Sequence, residues 1–125
     1  MVLKYEELSS AVLQAAIEVH RQLGPGLLET AYEQCLAYEL TLAKIPFLKE
    51  VGLPVEYKGI KLDCGYRLDF LVDGRLIVEL KSVEQLQRIH QAQLLTYMKL
   101  AKVSVGLLIN FNVEVLKQGI KRLVL

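Results

Sequence analysis

A chain of 125 residues, 53% of them hydrophobic, is long enough to bury a core without disulfide or metal staples, and one domain over 1–125 is expected. Lys and Arg number 15 against 14 Asp and Glu, so the formal net charge of +1 excludes the broad basic footprint by which many proteins hold nucleic acid. No apolar run approaches the ~20 residues that span a bilayer.

The N-terminus, Met1-Val2-Leu3-Lys4-Tyr5-Glu6-Glu7, lacks the basic-then-apolar layout of a signal peptide. Leu8, Val12, Ala15, Ala16, Val19 and Leu23 recur at helical spacing and predict an amphipathic helix over roughly 5–23, ended by Gly24-Pro25-Gly26. A second helix is predicted from about Leu27, with Leu28, Ala31, Tyr32, Cys35, Leu36 and Leu40 as its stripe, stopping before Pro46. From Phe47 the pattern turns to strands: Val51, Leu53 and Val55 alternate, and Lys58-Gly59 reads as a turn. A strand over Ile60 to Val72 and another over Leu76 to Lys81 follow, separated by Asp73-Gly74. A third helix is expected from about Val83 to Ala101. The near-continuous apolar run Val103 to Phe111 predicts a strand covered on both faces, and a short strand is expected over Ile120 to Val124. Cys35 and Cys64 fit no Cys-x-x-Cys or Cys/His spacing. The expectation is a reduced, cytoplasmic protein with no membrane contact.

Chemistry concentrates around the Asp73-Gly74 turn. Asp69 lies in the strand before it, and Glu79-Leu80-Lys81 in the strand after it. Glu-x-Lys alone carries little information, and a second copy, Glu56-Tyr57-Lys58, runs straight into a turn. Period-2 spacing puts Glu79 and Lys81 on one face and Leu76, Val78 and Leu80 on the other; likewise Arg67, Asp69 and Leu71 oppose Leu68, Phe70 and Val72. A two-residue turn would pair Val72 with Arg75 and put Asp69 and Glu79 on opposite faces. A three-residue loop or a bulge brings the two carboxylates to one face and aligns the apolar rows, so an odd-length loop is predicted. Two carboxylates about 5 Å apart repel by roughly 3 kcal/mol at an effective dielectric near 20. Lys81 offsets part of that, and a divalent cation offsets more. Spacing alone favours the plainer reading, a salt-bridged polar patch at the sheet edge.

His90, Gln93 and Tyr97 fall at i, i+3 and i+7 of the third helix and line one side, a pattern suited to phosphate or to orienting a metal ligand. Its plainer reading is the polar edge of a packed helix. Glu29 opens the second helix, where an acidic group also simply favours the helix dipole. His20 reads as a hydrogen-bonded or surface histidine.

The segment Gly26-Leu27-Leu28-Glu29-Thr30-Ala31-Tyr32 carries a Gly-x-x-Glu-x-x-Tyr signature, preceded by Val19-His20-Arg21-Gln22-Leu23-Gly24-Pro25. Further blocks are Tyr66-Arg67-Leu68-Asp69, Val78-Glu79-Leu80-Lys81, His90-Gln91-Ala92-Gln93-Leu94-Leu95-Thr96-Tyr97 and Leu108-Ile109-Asn110-Phe111-Asn112. Together they resemble the GxxExxY protein family, grouped with the PD-(D/E)xK nuclease superfamily. The element order read along the chain, α-α-β-β-β-α-β, makes a mixed α/β fold, and the resemblance implies an α-β-β-β-α-β core with a central mixed β-sheet flanked by α-helices. It implies a Mg²⁺- or Mn²⁺-dependent nuclease acting on DNA. Asp69 and Glu79 would bind the metal, helped by the Leu80 carbonyl and by Glu29. Lys81 would position the attacking water or stabilise the transition state. Gln93 and Tyr97 match a Gln-x-x-x-Tyr motif that supports the site and contacts DNA, with His90 and Arg67 as further nucleic-acid contacts. The usual proline before the first aspartate is replaced by Leu68. The high apolar content leaves room for a homodimer. The main rival is a non-catalytic nucleic-acid-binding or protein-interaction module that retains the fold.

Overall fold

The computed structural model describes residues 5–125. Helix α1 (Glu6–Leu23) opens with Glu6 and Glu7 in the first turn, where carboxylates complement the helix dipole, and buries Val12, Ala15, Ala16 and Val19. It ends at Gly24, whose φ of 68° lets the backbone N–H turn back onto the His20 carbonyl at 2.7 Å. Helix α2 (Glu29–Leu42) buries Tyr32, Leu36 and Leu40, one residue per turn on a single stripe.

Five strands form the main sheet: β1 (Phe47–Gly52), β4 (Arg67–Val72), β5 (Leu76–Lys81), β6 (Val105–Asn110) and β7 (Ile120–Val124), in the order β1-β4-β5-β6-β7. Helix α3 (Arg88–Ala101) crosses over between β5 and β6, the parallel pair, and the other neighbours run antiparallel. The sheet is mixed and flanked by helices, as expected. Against one face, α1 and α2 pack on Phe70, Val72, Leu76, Val78, Leu80, Val105, Leu107, Ile109 and Phe111. Against the other, α3 packs Leu94 and Met98 on Ile77 and Leu108. Strands β5 and β6 are buried on both sides, which accounts for their nearly unbroken apolar runs. Gly106 lets α3 approach: a Cβ there would meet Met98 Sδ at 2.8 Å and both Leu94 methyls at 3.1 Å.

Several boundaries differ from expectation. The predicted strand Ile60 to Val72 is two strands, β3 (Ile60–Leu62) and β4. Between them Gly65 takes a φ of 77° and donates its N–H to Asp63 Oδ1 at 3.0 Å, an Asx-type turn that no extended strand passes through. Strand β3 pairs only with β2 (Val55–Tyr57), in a hairpin outside the main sheet that turns at Lys58-Gly59. The third helix starts at Arg88, not Val83. The buried Asn110 amide pins the preceding loop at Val83, accepting its N–H at 3.1 Å and donating to its carbonyl at 2.9 Å. Gln87 and His90 then form a reciprocal capping box at the helix start. The apolar run Val103 to Phe111 holds a shorter strand, Val105–Asn110. Among the described residues, no helix is long and apolar enough to cross a membrane.

The odd-length loop is present. Val72 pairs with Leu76, Leu71 with Ile77 and Phe70 with Val78, leaving Asp73-Gly74-Arg75 as a three-residue loop with φ of 52° and 65° at its first two positions. The alternation on β4 departs from expectation at one point. Phe70 and Val72 enter the α1/α2 core, whereas Leu68 packs with the α3 cluster. The switch falls at Asp69, where the β1 ladder skips from the Lys49–Phe70 pair to the Val51–Leu68 pair and Glu50 adopts a φ of 51°. The strand pair changes face at that step, as expected of a local break in a twisted ladder.

Candidate active site

Asp69 sits where both of its ladders lapse. Its place opposite Glu50 on β1 is unpaired, and the β4–β5 pairing ends one residue earlier, at Phe70–Val78. Asp69 Oδ2 accepts the Leu80 N–H at 2.9 Å, so the side chain does what the ladder would otherwise do. That bond holds a carboxylate in the gap between β4 and β5. A strand residue points its N–H and carbonyl to the same edge, so the Leu80 carbonyl opens toward this gap as well. Consistent with this, the neighbouring Lys81 carbonyl faces the other way and accepts the Phe111 N–H at 2.9 Å.

Glu79 lies opposite Leu108, on the α3 face of β5, and only 8% of it is exposed. Burial is the main cause that pushes its carboxyl up to about 10, followed by a side-chain hydrogen bond and the charge of Asp69; an Asp69 backbone hydrogen bond and Lys81 oppose the shift. At neutral pH the Glu79 carboxyl therefore keeps its proton. Glu79 Oε1 is buried with no hydrogen-bond partner. Lys81, two residues along the same strand, lines a cleft together with Gln93 and Tyr97.

On α3, Tyr97 has its hydroxyl pKa raised, first by burial and then by the charges of Glu79, Tyr66 and Asp69. A hydrogen bond from the Gln93 side chain opposes that shift. Gln93 and Tyr97 thus act as a pair, with the Tyr97 hydroxyl next to the acids. His90 is also on this side, but its Nδ1 is committed to the Gln87 N–H at 3.0 Å. Arg67 is exposed at the start of β4, opposite Gly52.

Glu29 is the first residue of α2 and is exposed. Its charge is felt at Glu33, one turn further along. Glu33 is the α2 acid beside Asp69: its carboxyl is raised by burial, then by Asp69, Glu50 and Glu29, with Lys49 opposing. Its Oε1 is buried and unpartnered, like that of Glu79. The sequence reading passed over Glu33. The signal was present, because Glu29 and Glu33 stand four apart on the same helix side.

The Gly-x-x-Glu-x-x-Tyr segment proves to be a brace. The Tyr32 hydroxyl donates to the Gly24 carbonyl at 2.6 Å and accepts the Leu27 N–H at 3.2 Å, while its ring stacks on Phe111 at 4.4 Å. The Gly26 N–H reaches Asn112 Oδ1 at 3.1 Å, and Ser82 Oγ donates to the Leu27 carbonyl at 2.6 Å. His20 Nε2 meets the Val113 carbonyl at 2.7 Å, a hydrogen-bonded histidine as expected. These contacts tie the start of α2 to the C-terminal ends of β5 and β6 and so set where Glu33 lies.

Among the described residues, no three His, Cys, Asp or Glu side chains come close enough to enclose a metal ion by themselves. Mg²⁺ does not require that, since it keeps several waters and commonly takes one or two carboxylates plus substrate phosphate. Glu79 Oε1 and Glu33 Oε1 are both buried without hydrogen-bond partners, and the charge of Asp69 acts on both acids. An all-oxygen donor set of this kind fits a hard divalent cation.

A family model described as the PD-(D/E)XK nuclease superfamily matches residues 6–123. No curated protein and no solved structure gives a significant match. The match spans nearly the whole chain, and the chain belongs to the PD-(D/E)XK nuclease superfamily.

Proposed function

We propose that this chain is a Mg²⁺- or Mn²⁺-dependent phosphodiesterase that cuts DNA, with Asp69 and Glu79 holding the metal. The observation that carries this reading is the buried, partnerless Glu79 Oε1 against Asp69, in a gap that a carboxylate holds open by taking the Leu80 N–H. The Leu80 carbonyl is a further oxygen donor. Glu33, with Glu29 behind it, acts from α2, through water or directly. Bound there, the cation would polarise the phosphate and lower the pKa of a water molecule.

The chain's own groups do the rest. Glu79 would have to release its proton for the ion to be held there. Lys81 supplies a fixed positive charge on the same strand face, where it offsets charge developing on the phosphate oxygens. Gln93 and Tyr97 hold the α3 side of the site, and Arg67 and His90 Nε2 are left to meet flanking DNA.

The test is cleavage of mixed DNA substrates in Mg²⁺ or Mn²⁺. Asp69→Ala and Lys81→Ala should each reduce the rate by at least about 10²-fold while the far-UV circular dichroism stays that of the unaltered protein. Either variant cutting at the unaltered rate would remove its residue from the site. A non-catalytic protein-interaction module that retains the fold is favoured by one observation, the net charge of +1, which gives little electrostatic grip on DNA. Neither binding nor cleavage of any DNA, with or without metal, would select it.

A further inference from the structure

Lys81 and Tyr97, the tyrosine that feels the charges of Glu79 and Asp69, line a cleft of about 660 Å³. A volume of this order suits a small planar ligand. Its wall is mainly apolar, built from Val55, Tyr66, Ile89 and Leu100. Two of these stand open to water despite their chemistry, Tyr66 at 45% and Ile89 at 68% exposed. The Tyr66 ring leans on Tyr97 at 6.0 Å and 55°, so one tilted aromatic pair runs from the cleft to the acids.

The outside of an intact duplex is phosphate and sugar, and an apolar wall next to a cleavage site has nothing to bind there. An unstacked base does, and stacking on aromatic and aliphatic side chains is largely indifferent to sequence. The charge balance points the same way. With a net charge of +1 the protein lacks the electrostatic grip that duplex binding relies on, and affinity has to come from a contact that salt does not screen. Gln93 and His90 also line the cleft and offer an amide and a free imidazole Nε2 to a base edge.

We infer that this cleft seats an unpaired base of the strand being cut, so that the substrate is single-stranded DNA or the unpaired segment of a DNA structure. The inference rests on the DNA phosphodiesterase reading. With the phosphate at Lys81, the adjoining base enters between Tyr66 and Ile89.

The experiment is fluorescence anisotropy in metal-free buffer with a short oligodeoxynucleotide, single-stranded or annealed to its complement, followed by cleavage assays in Mn²⁺. The single strand should bind at least about 10-fold more tightly than the duplex. Tyr66→Ala should reduce single-strand affinity about 5- to 100-fold, whereas Tyr66→Phe should retain it. If Tyr66→Ala does not fold, an abasic nucleotide at the cleavage position, tested on the unaltered protein, should weaken binding by a similar factor. Equal binding of both DNA forms, unchanged in Tyr66→Ala and with the abasic strand, would overturn the base pocket, and Mn²⁺-dependent cutting of duplex would then leave the phosphodiesterase standing. No binding and no cutting of any DNA would overturn both. A dimer that Tyr66→Ala disperses, with oligonucleotide binding unaltered, would assign the cleft to a second copy of the chain and overturn the proposal.

Discussion

At the scale of single residues, the site turns on one carboxyl group held against its preference. Burial and Asp69 raise the folded-state pKa of Glu79 to about 10, whereas in the unfolded chain it titrates near 4.5. Between those values the folded protein binds the extra proton, so metal-free stability falls as pH rises from about 4.5 toward 10. Glu79→Gln keeps the neutral shape at every pH. In EDTA at pH 8 it should melt several degrees above the unaltered protein, and its melting temperature should vary less with pH. A lower melting temperature for Glu79→Gln would mean that the Glu79 environment favours the anion. By the same linkage a cation bound at Glu79 would have to displace that proton, so metal affinity should rise with pH.

Among elements, the loop between β4 and β5 decides whether the two acids meet. Asp73-Gly74 alone is a strong two-residue turn signal, yet Arg75 is included in the loop, because only then do Phe70, Val72, Leu76 and Val78 enter one core. Deleting Arg75 pits the turn's preference against that core. The deletion should lower stability by at least about 2 kcal/mol, because a one-residue slip sends core side chains to the wrong face. Urea melts that match those of the unaltered chain would show that the loop does not set the register. This register was legible in the alternation of apolar residues. The face switch at Asp69 was not, because period-2 reasoning assumes an unbroken ladder and nothing in Glu50 or Asp69 announces a break. The boundary at Gly65 and the late start of α3 were hidden for a related reason. Both are imposed by side-chain bonds from Asp63 and Asn110 that compete with the regular element.

For the whole molecule, the sheet and helices gather residues far apart in sequence around the gap between β4 and β5: Glu33 from α2, Asp69 from β4, Glu79 and Lys81 from β5, and Gln93 and Tyr97 from α3. The strand carboxylates and the α3 pair were readable from spacing within single elements. Glu33 depended on how α2 is docked, which Tyr32, Ser82 and Asn112 determine across the fold. The central claim is that the gap between Asp69 and Glu79 is a divalent-cation site, and calorimetric titration of Mn²⁺ into the unaltered chain and into Glu79→Ala tests it most directly. A saturable isotherm with proton release near pH 7, absent in Glu79→Ala, is expected. Identical isotherms for the two proteins, or no heat at millimolar Mn²⁺, would contradict it.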